Sequence, residues 1–183
     1  MSRATIKDLT WEWRSFSALS NLELHACMAL RQEVFIIEQR CFYLDADETD
    51  PNAYHLLVWN DTSKTLNKQH EHRELVAYLR AYPQESSWKI GRVLERSSHR
   101  SRGLGVELMR RSHHHLSQKG AKGISLAAQT QVIPFYERLG YRKRGDVFMD
   151  AGIPHQQMSF TLTPLKPLLQ NRTPKVIIFD FDG

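Results

Sequence analysis

Residues 91–111 read GRVLERSSHRSRGLGVELMRR. An apolar, strand-like start runs through Arg100, Ser101, Arg102, Gly103, Leu104 and Gly105 directly into a helical pattern. Strand, basic glycine-containing turn and helix make an anion site: glycine lets backbone come close to a phosphate, and the first helical turn presents unpaired N–H groups. The helix dipole adds positive potential there, and Arg100 and Arg102 offer charge-assisted hydrogen bonds. Two glycines and two arginines also describe an ordinary basic loop. The spacing is not that of a P-loop, which needs Gly-Lys-Ser/Thr, nor that of the three-glycine dinucleotide fingerprint.

Upstream of this turn, residues 10–16 (TWEWRSF) alternate as a half-buried strand does. Residues 20–39 then read as a helix. Ser20 and Glu23 match a capping box, and Cys27, Leu30, Val34 and Ile37 recur at three- and four-residue spacing on one face. Residues 43–52 (YLDADETDPN) are expected to form a loop, because Asp45, Asp47, Glu48 and Asp50 resist burial and Pro51 breaks regular structure. Residues 54–60 and 74–82 are strands joined as an antiparallel hairpin through a long polar connection, and 88–95 is the next strand.

Downstream, residues 105–120 place Val106, Leu108, Met109 and Leu116 in a helical arrangement that Gly120 can end. A strand at 123–129, a short helix at 132–140 and a final strand pair with a turn near residues 151–155 follow. Consecutive strands followed by strand–helix alternation predict the α/β (α+β) class: a mixed, mainly antiparallel twisted sheet flanked by helices.

Composition sets the outer limits. A chain of 183 residues, 41% hydrophobic, 10% aromatic and 25% charged, suits one domain with a real core. The net charge of +5 and pI near 9.3 favour anionic ligands: nucleic acid, an acidic membrane or a phosphorylated cofactor. No zinc-finger or RNA-recognition pattern stands beside that charge, so nucleic acid is not the expected partner. The apolar runs are far shorter than the ~20 residues that span a bilayer, so no membrane role is expected. Cys27 and Cys41 read as free thiols of a cytoplasmic protein. His113, His114 and His115 are adjacent on a helix and cannot converge on one ion, and His70 and His72 read as loop residues; no metal is expected.

The spacing of Arg100, Gly103 and Gly105 resembles the acetyl-CoA pyrophosphate loop of the GNAT acetyltransferases, and residues 132–145 (VIPFYERLGYRKRG) resemble that superfamily's later motif. The match is similar in detail to the ElaA-like branch. Arg31, Val34, Phe35, Glu38, Gln39, Tyr43, Asp45 and Asp47 follow its first pattern, and Asp150, Gly152, Ile153, Pro154, His155 and Met158 its last. Phe42 departs from it, standing where the branch has proline.

The resemblance covers residues 5–162 and implies a GNAT fold that moves an acetyl group from acetyl-CoA directly to a primary amine, without metal. It implies coenzyme contacts at Val93, Leu94 and Glu95 on a splayed strand and at Arg100, Ser101, Arg102, Gly103, Leu104 and Gly105. Tyr136 is the implied general acid, with a core tyrosine as the alternative. Arg31, Glu38, Tyr43, Asp47 and His155 are the candidate acceptor residues, structural pairing being the better expectation for Arg31.

Glu33, Glu38, Asp47, His55 and Glu95 could each act as base, although each suits a solvated or salt-bridged role better. The acceptor is expected to be a small-molecule or peptide amine. The acidic loop suggests a cationic one, and a solvated loop explains it equally well. The protein is expected as monomer or homodimer; an acyl-CoA-binding module without catalysis is the alternative.

Residues 163–174 read as a linker, and 175–183 (KVIIFDFDG) resemble the opening motif of haloacid-dehalogenase-type phosphatases, with Asp180 as nucleophile and Asp182 as acid/base. Without the rest of that domain the segment is expected to be inactive, the truncated start of a fusion partner; a docking strand or coincidence is the alternative.

Overall fold

The computed structural model describes residues 5–61, 73–85 and 87–162. The expected linker and phosphatase-like segment (163–183), and His70 and His72, lie outside the described residues.

Seven strands form one sheet: β1 (Leu9–Ser15), β2 (Tyr54–Asp61), β3 (Arg73–Gln84), β4 (Ser87–Glu95), β5 (Gly123–Gln129), β6 (Arg142–Asp150) and β7 (Ile153–Thr161), in the order β1-β2-β3-β4-β5-β7-β6. Every neighbouring pair is antiparallel except β4–β5. The sheet is therefore mixed and mainly antiparallel, as the sequence predicts. Helix α1 (Asn21–Arg31) covers one face; α2 (Leu104–Gln118) and the short α3 (Ile133–Arg138) cover the other. Strand β2 has to satisfy both layers. Leu56 and Val58 pack with Leu108 and Met109 of α2, while Leu57 and Trp59 pack with Cys27 and Leu30 of α1. A strand buried on both faces reads as a continuous apolar run, which explains HLLVW.

Helix α1 starts as expected: Ser20 Oγ accepts the Glu23 N–H at 3.2 Å and the Glu23 carboxylate accepts the Ser20 N–H at 2.8 Å. Its end differs from expectation. After Arg31 the coil widens into a π-helix over Gln32–Glu38, marked by the Gln39 N–H donating to Val34 C=O at 3.0 Å. A wider turn shifts the phase of the side chains. Ile37, expected on the buried face, is consequently 74% exposed, and Phe35 is buried instead.

Two irregularities shape the middle of the sheet. The parallel pairing of β4 with β5 is confined to Trp88↔Ile124 and Lys89↔Ser125, after which the strands diverge. On its other side β4 bulges: Arg80 faces Gly91 and Tyr78 faces Leu94, leaving Leu79 opposite both Arg92 and Val93. Arg92 absorbs the bulge with φ 55.

Candidate active site

The divergence of β4 from β5 opens a V-shaped gap, and α2 begins beside it. Gly103, the residue before α2, has φ 76, a left-handed conformation that glycine adopts without penalty, and its C=O accepts the Glu107 N–H at 3.1 Å. Ser101 is also left-handed, with φ 62. Gly105 is required for a different reason: a methyl group there would collide with the Glu95 carboxylate and sit 3.4 Å from Phe135 Cζ. The first turn of α2 is thus pressed onto β4 and α3.

The groups of this turn are engaged by the protein itself. The Glu95 carboxylate lies against Gly105 in the first turn of α2, close to the Gly105 N–H. Burial raises the Glu95 carboxyl above its ordinary value, against the lowering pull of Arg100 and of that N–H. Arg100 forks onto Glu38, with Nη2 to Oε2 at 2.8 Å and Nη1 to Oε1, and also donates from Nε and Nη2 to the Glu95 carbonyl at 3.1 and 3.0 Å. The Arg100 contact lowers the Glu38 carboxyl. Arg102 Nη2 donates to the Ser98 carbonyl at 2.8 Å. Next to Glu38, Gln39 accepts from Gln129 Nε2 at the end of β5, at 2.9 Å. Residues 38–39 therefore touch both lips of the gap.

Tyr136 is buried on α3, edge-on to Phe135 (centroids 5.0 Å, 72°) and to Tyr141 (5.6 Å, 71°). Its hydroxyl has no hydrogen-bond partner among the described residues. Burial pushes the phenol up, so it is protonated at neutral pH.

The other expected residues fall into a charge cluster, and here the structure corrects the sequence. Asp45 and Asp50 do not resist burial: they are 7% and 3% exposed. Arg31, with no solvent exposure at all, donates from Nε to Asp45 at 2.6 Å and from Nη1 to Asp50 at 2.8 Å. Arg80 donates to Asp47 at 2.6 Å and to Asp50 at 2.5 Å, and Arg92 donates to the Asp45 carbonyl at 2.9 Å. Three aspartates thus meet three guanidinium groups from outside the loop, so their charge is offset by the fold. Arg31, a candidate acceptor residue, takes the structural pairing instead. Tyr43 donates to Asp45 at 3.0 Å and stands at the rim with its ring 5.5 Å from Arg92.

His155 lies on the opposite lip, in register with Gln129, with Nδ1 2.9 Å from the Ile153 carbonyl and its ring against Phe148. The other base candidates also have partners: Glu33 binds Arg96 at 2.6 Å, and His55 is sealed between Tyr78 O–H at 2.6 Å and the Asp50 carbonyl at 3.1 Å. Sequence reasoning missed Arg80 and Arg92. The signal was present in β3, where an arginine interrupts the buried run ELVAYLRAY and so demands carboxylate partners.

The three adjacent histidines point three ways: His113 onto Phe160, His114 to Gln118, and His115 onto Trp13 at 4.2 Å.

Comparison with known proteins gives one consistent family. Residues 41–162 match the acetyltransferase (GNAT) domain. A UPF0039 protein of Synechocystis is 34% identical over 164 residues, covering 86% of this chain and 98% of the relative. Protein ElaA of Escherichia coli is 30% identical over 160 residues, covering 82% and 95%. The crystal structure of an acyl-CoA N-acyltransferase from Pseudomonas aeruginosa superposes with a TM-score of 0.73 at 32% identity, over 82% of this chain and 98% of that one.

Proposed function

The chain belongs to the acetyltransferase (GNAT) domain family, and from that premise we propose that it transfers the acetyl group of acetyl-CoA directly to a primary amine. The observation that carries this reading is the open edge of β4 leading into a helix N-terminus against which a carboxylate, that of Glu95, already lies at Gly105. A site that holds a carboxylate there has the polarity a diphosphate requires.

In this reading the loop from Arg100 to Gly105 holds the diphosphate, with Arg100, Ser101, Arg102, Gly103, Leu104 and Gly105 around it. The backbone of Val93, Leu94 and Glu95, free of β5, pairs with the pantetheine arm, and one of its N–H groups polarises the thioester carbonyl. The neutral amine attacks the carbonyl carbon, a C–N bond forms and the C–S bond breaks. Tyr136 donates its proton to the departing thiolate and is reprotonated from solvent. The ammonium proton leaves through water, since Glu33, Glu38, Asp47, His55 and Glu95 all have protein partners. Tyr43 and Asp47 on one lip and His155 on the other flank the acceptor's entry. In this scheme acetyl-CoA is the co-substrate and no step calls on a metal.

Calorimetric titration with acetyl-CoA and with CoA tests the reading. Saturable one-to-one binding that weakens in an Arg100→Ala, Arg102→Ala double variant supports it. Absence of binding at millimolar acetyl-CoA by folded protein overturns it. The Tyr136→Phe variant is expected to bind coenzyme normally and to lose ~10²-fold or more in turnover, the usual size of a lost general acid.

A further inference from the structure

Strand β4 alternates its side chains, and Glu95 comes up on the same face as Val93, under α2. Its carboxylate lies against Gly105 in the first turn of α2, so close that a methyl group on Gly105 would collide with it. The helix end thus carries its own negative charge. Gly105 is within the first turn of α2, where N–H groups have no intrahelical partner. Among the described residues the cation beside the Glu95 carboxylate is Arg100 of the coenzyme turn, and Arg100 is itself forked by Glu38.

We propose that Glu95 is a residue that sets coenzyme affinity: its carboxylate competes with the coenzyme diphosphate for the first-turn amide of α2, so that binding requires it to be displaced. The inference rests on the coenzyme reading above. Two negative groups cannot share one N–H at a buried helix end without repulsion, so one of them must move. Glu95 is the one that can, since its side chain alone has to rotate. Glu38 acts in the same sense at one remove, because Arg100 can turn to a phosphate only by loosening its fork on Glu38.

The test is isothermal titration of the full chain and of Glu95→Gln and Glu95→Val variants with two probes, CoA and S-acetylpantetheine, the second lacking every phosphate. Removing the charge is expected to tighten CoA binding about tenfold, the order of a partly buried charge at a helix end, and to leave S-acetylpantetheine unchanged. Gln keeps the size of the side chain and guards against a packing defect in the Val variant; circular dichroism reports folding of both. Unchanged or weaker CoA binding by folded Glu95→Gln, or equal tightening of both probes, overturns the competition. If wild type and both variants all fail to bind CoA, the coenzyme reading itself falls, which is a distinguishable result.

Discussion

Arg31 sits with no solvent exposure between two carboxylates. Breaking a buried ion pair by removing one partner leaves the other charge uncompensated, which costs about 3–5 kcal/mol. Arg31→Met is therefore expected to lower unfolding stability by that order in urea titrations, a far larger loss than from the exposed Arg110→Met. The same cluster gives the protein an acid limit. Burial alone would raise Asp47 and Asp50, but hydrogen bonds and charge, from Arg80 on Asp47 and from Arg31 on Asp50, hold both carboxyls below their ordinary range. A depressed carboxylate contributes stability above its unfolded value near 3.8 that disappears as pH falls through the folded value. Denaturation midpoints are expected to fall steeply below about pH 4, and less steeply in Asp47→Asn. Thiol chemistry follows the same logic of burial. Cys27 is pushed up to about 12 by desolvation, so it should react with alkylating reagents at pH 8 about a thousandfold more slowly in native than in unfolded protein.

At the scale of elements, helix α2 was legible because its apolar positions repeat and Gly120 ends it. What its polar residues touch was not legible. His113 is drawn into the core, stacked on Phe160 at 4.4 Å and sharing a 2.9 Å hydrogen bond with Tyr141 O–H. Desolvation lowers its pKa to about 4. A base depressed in the folded state contributes stability above its unfolded value of 6.5 that is lost as pH falls toward 4. Thermal melts between pH 7 and 4 are expected to show this loss, and His113→Gln to flatten it while lowering the plateau. The π-turn was similarly hidden. A three- and four-residue repeat runs unbroken through Cys27, Leu30, Val34 and Ile37, whereas the phase change shows in the backbone, as in the Gln39–Val34 bond. The acidic loop misled for a physical reason: its neutralising arginines come from α1, β3 and β4, separated from it by up to 47 positions. The coenzyme turn lies within one stretch of chain, and its residue types and order could be read directly.

For the whole molecule, strand identity and helix order followed from periodicity, whereas strand order did not. Strand β7 enters between β5 and β6, a placement set by which edges remain open once β5 has crossed over, and no local pattern encodes it. Hydrogen exchange probes the open edge of β4. Amides of residues 93–95 that lack a strand partner on the β5 side are expected to gain protection on adding CoA, while β2 amides, paired on both sides, stay unchanged.

The two-pair contact at Trp88–Ile124 and Lys89–Ser125 gives the sheet a mechanical character of its own. It is two plates, of four strands and of three, riveted at one end, so the width of the slot at the other end is an angle fixed behind the rivet. Trp88 packs into the core there, with its ring 5.7 Å from Tyr54. A smaller residue at Trp88, at the opposite end of the joint, is therefore expected to change what the slot admits without touching anything inside it.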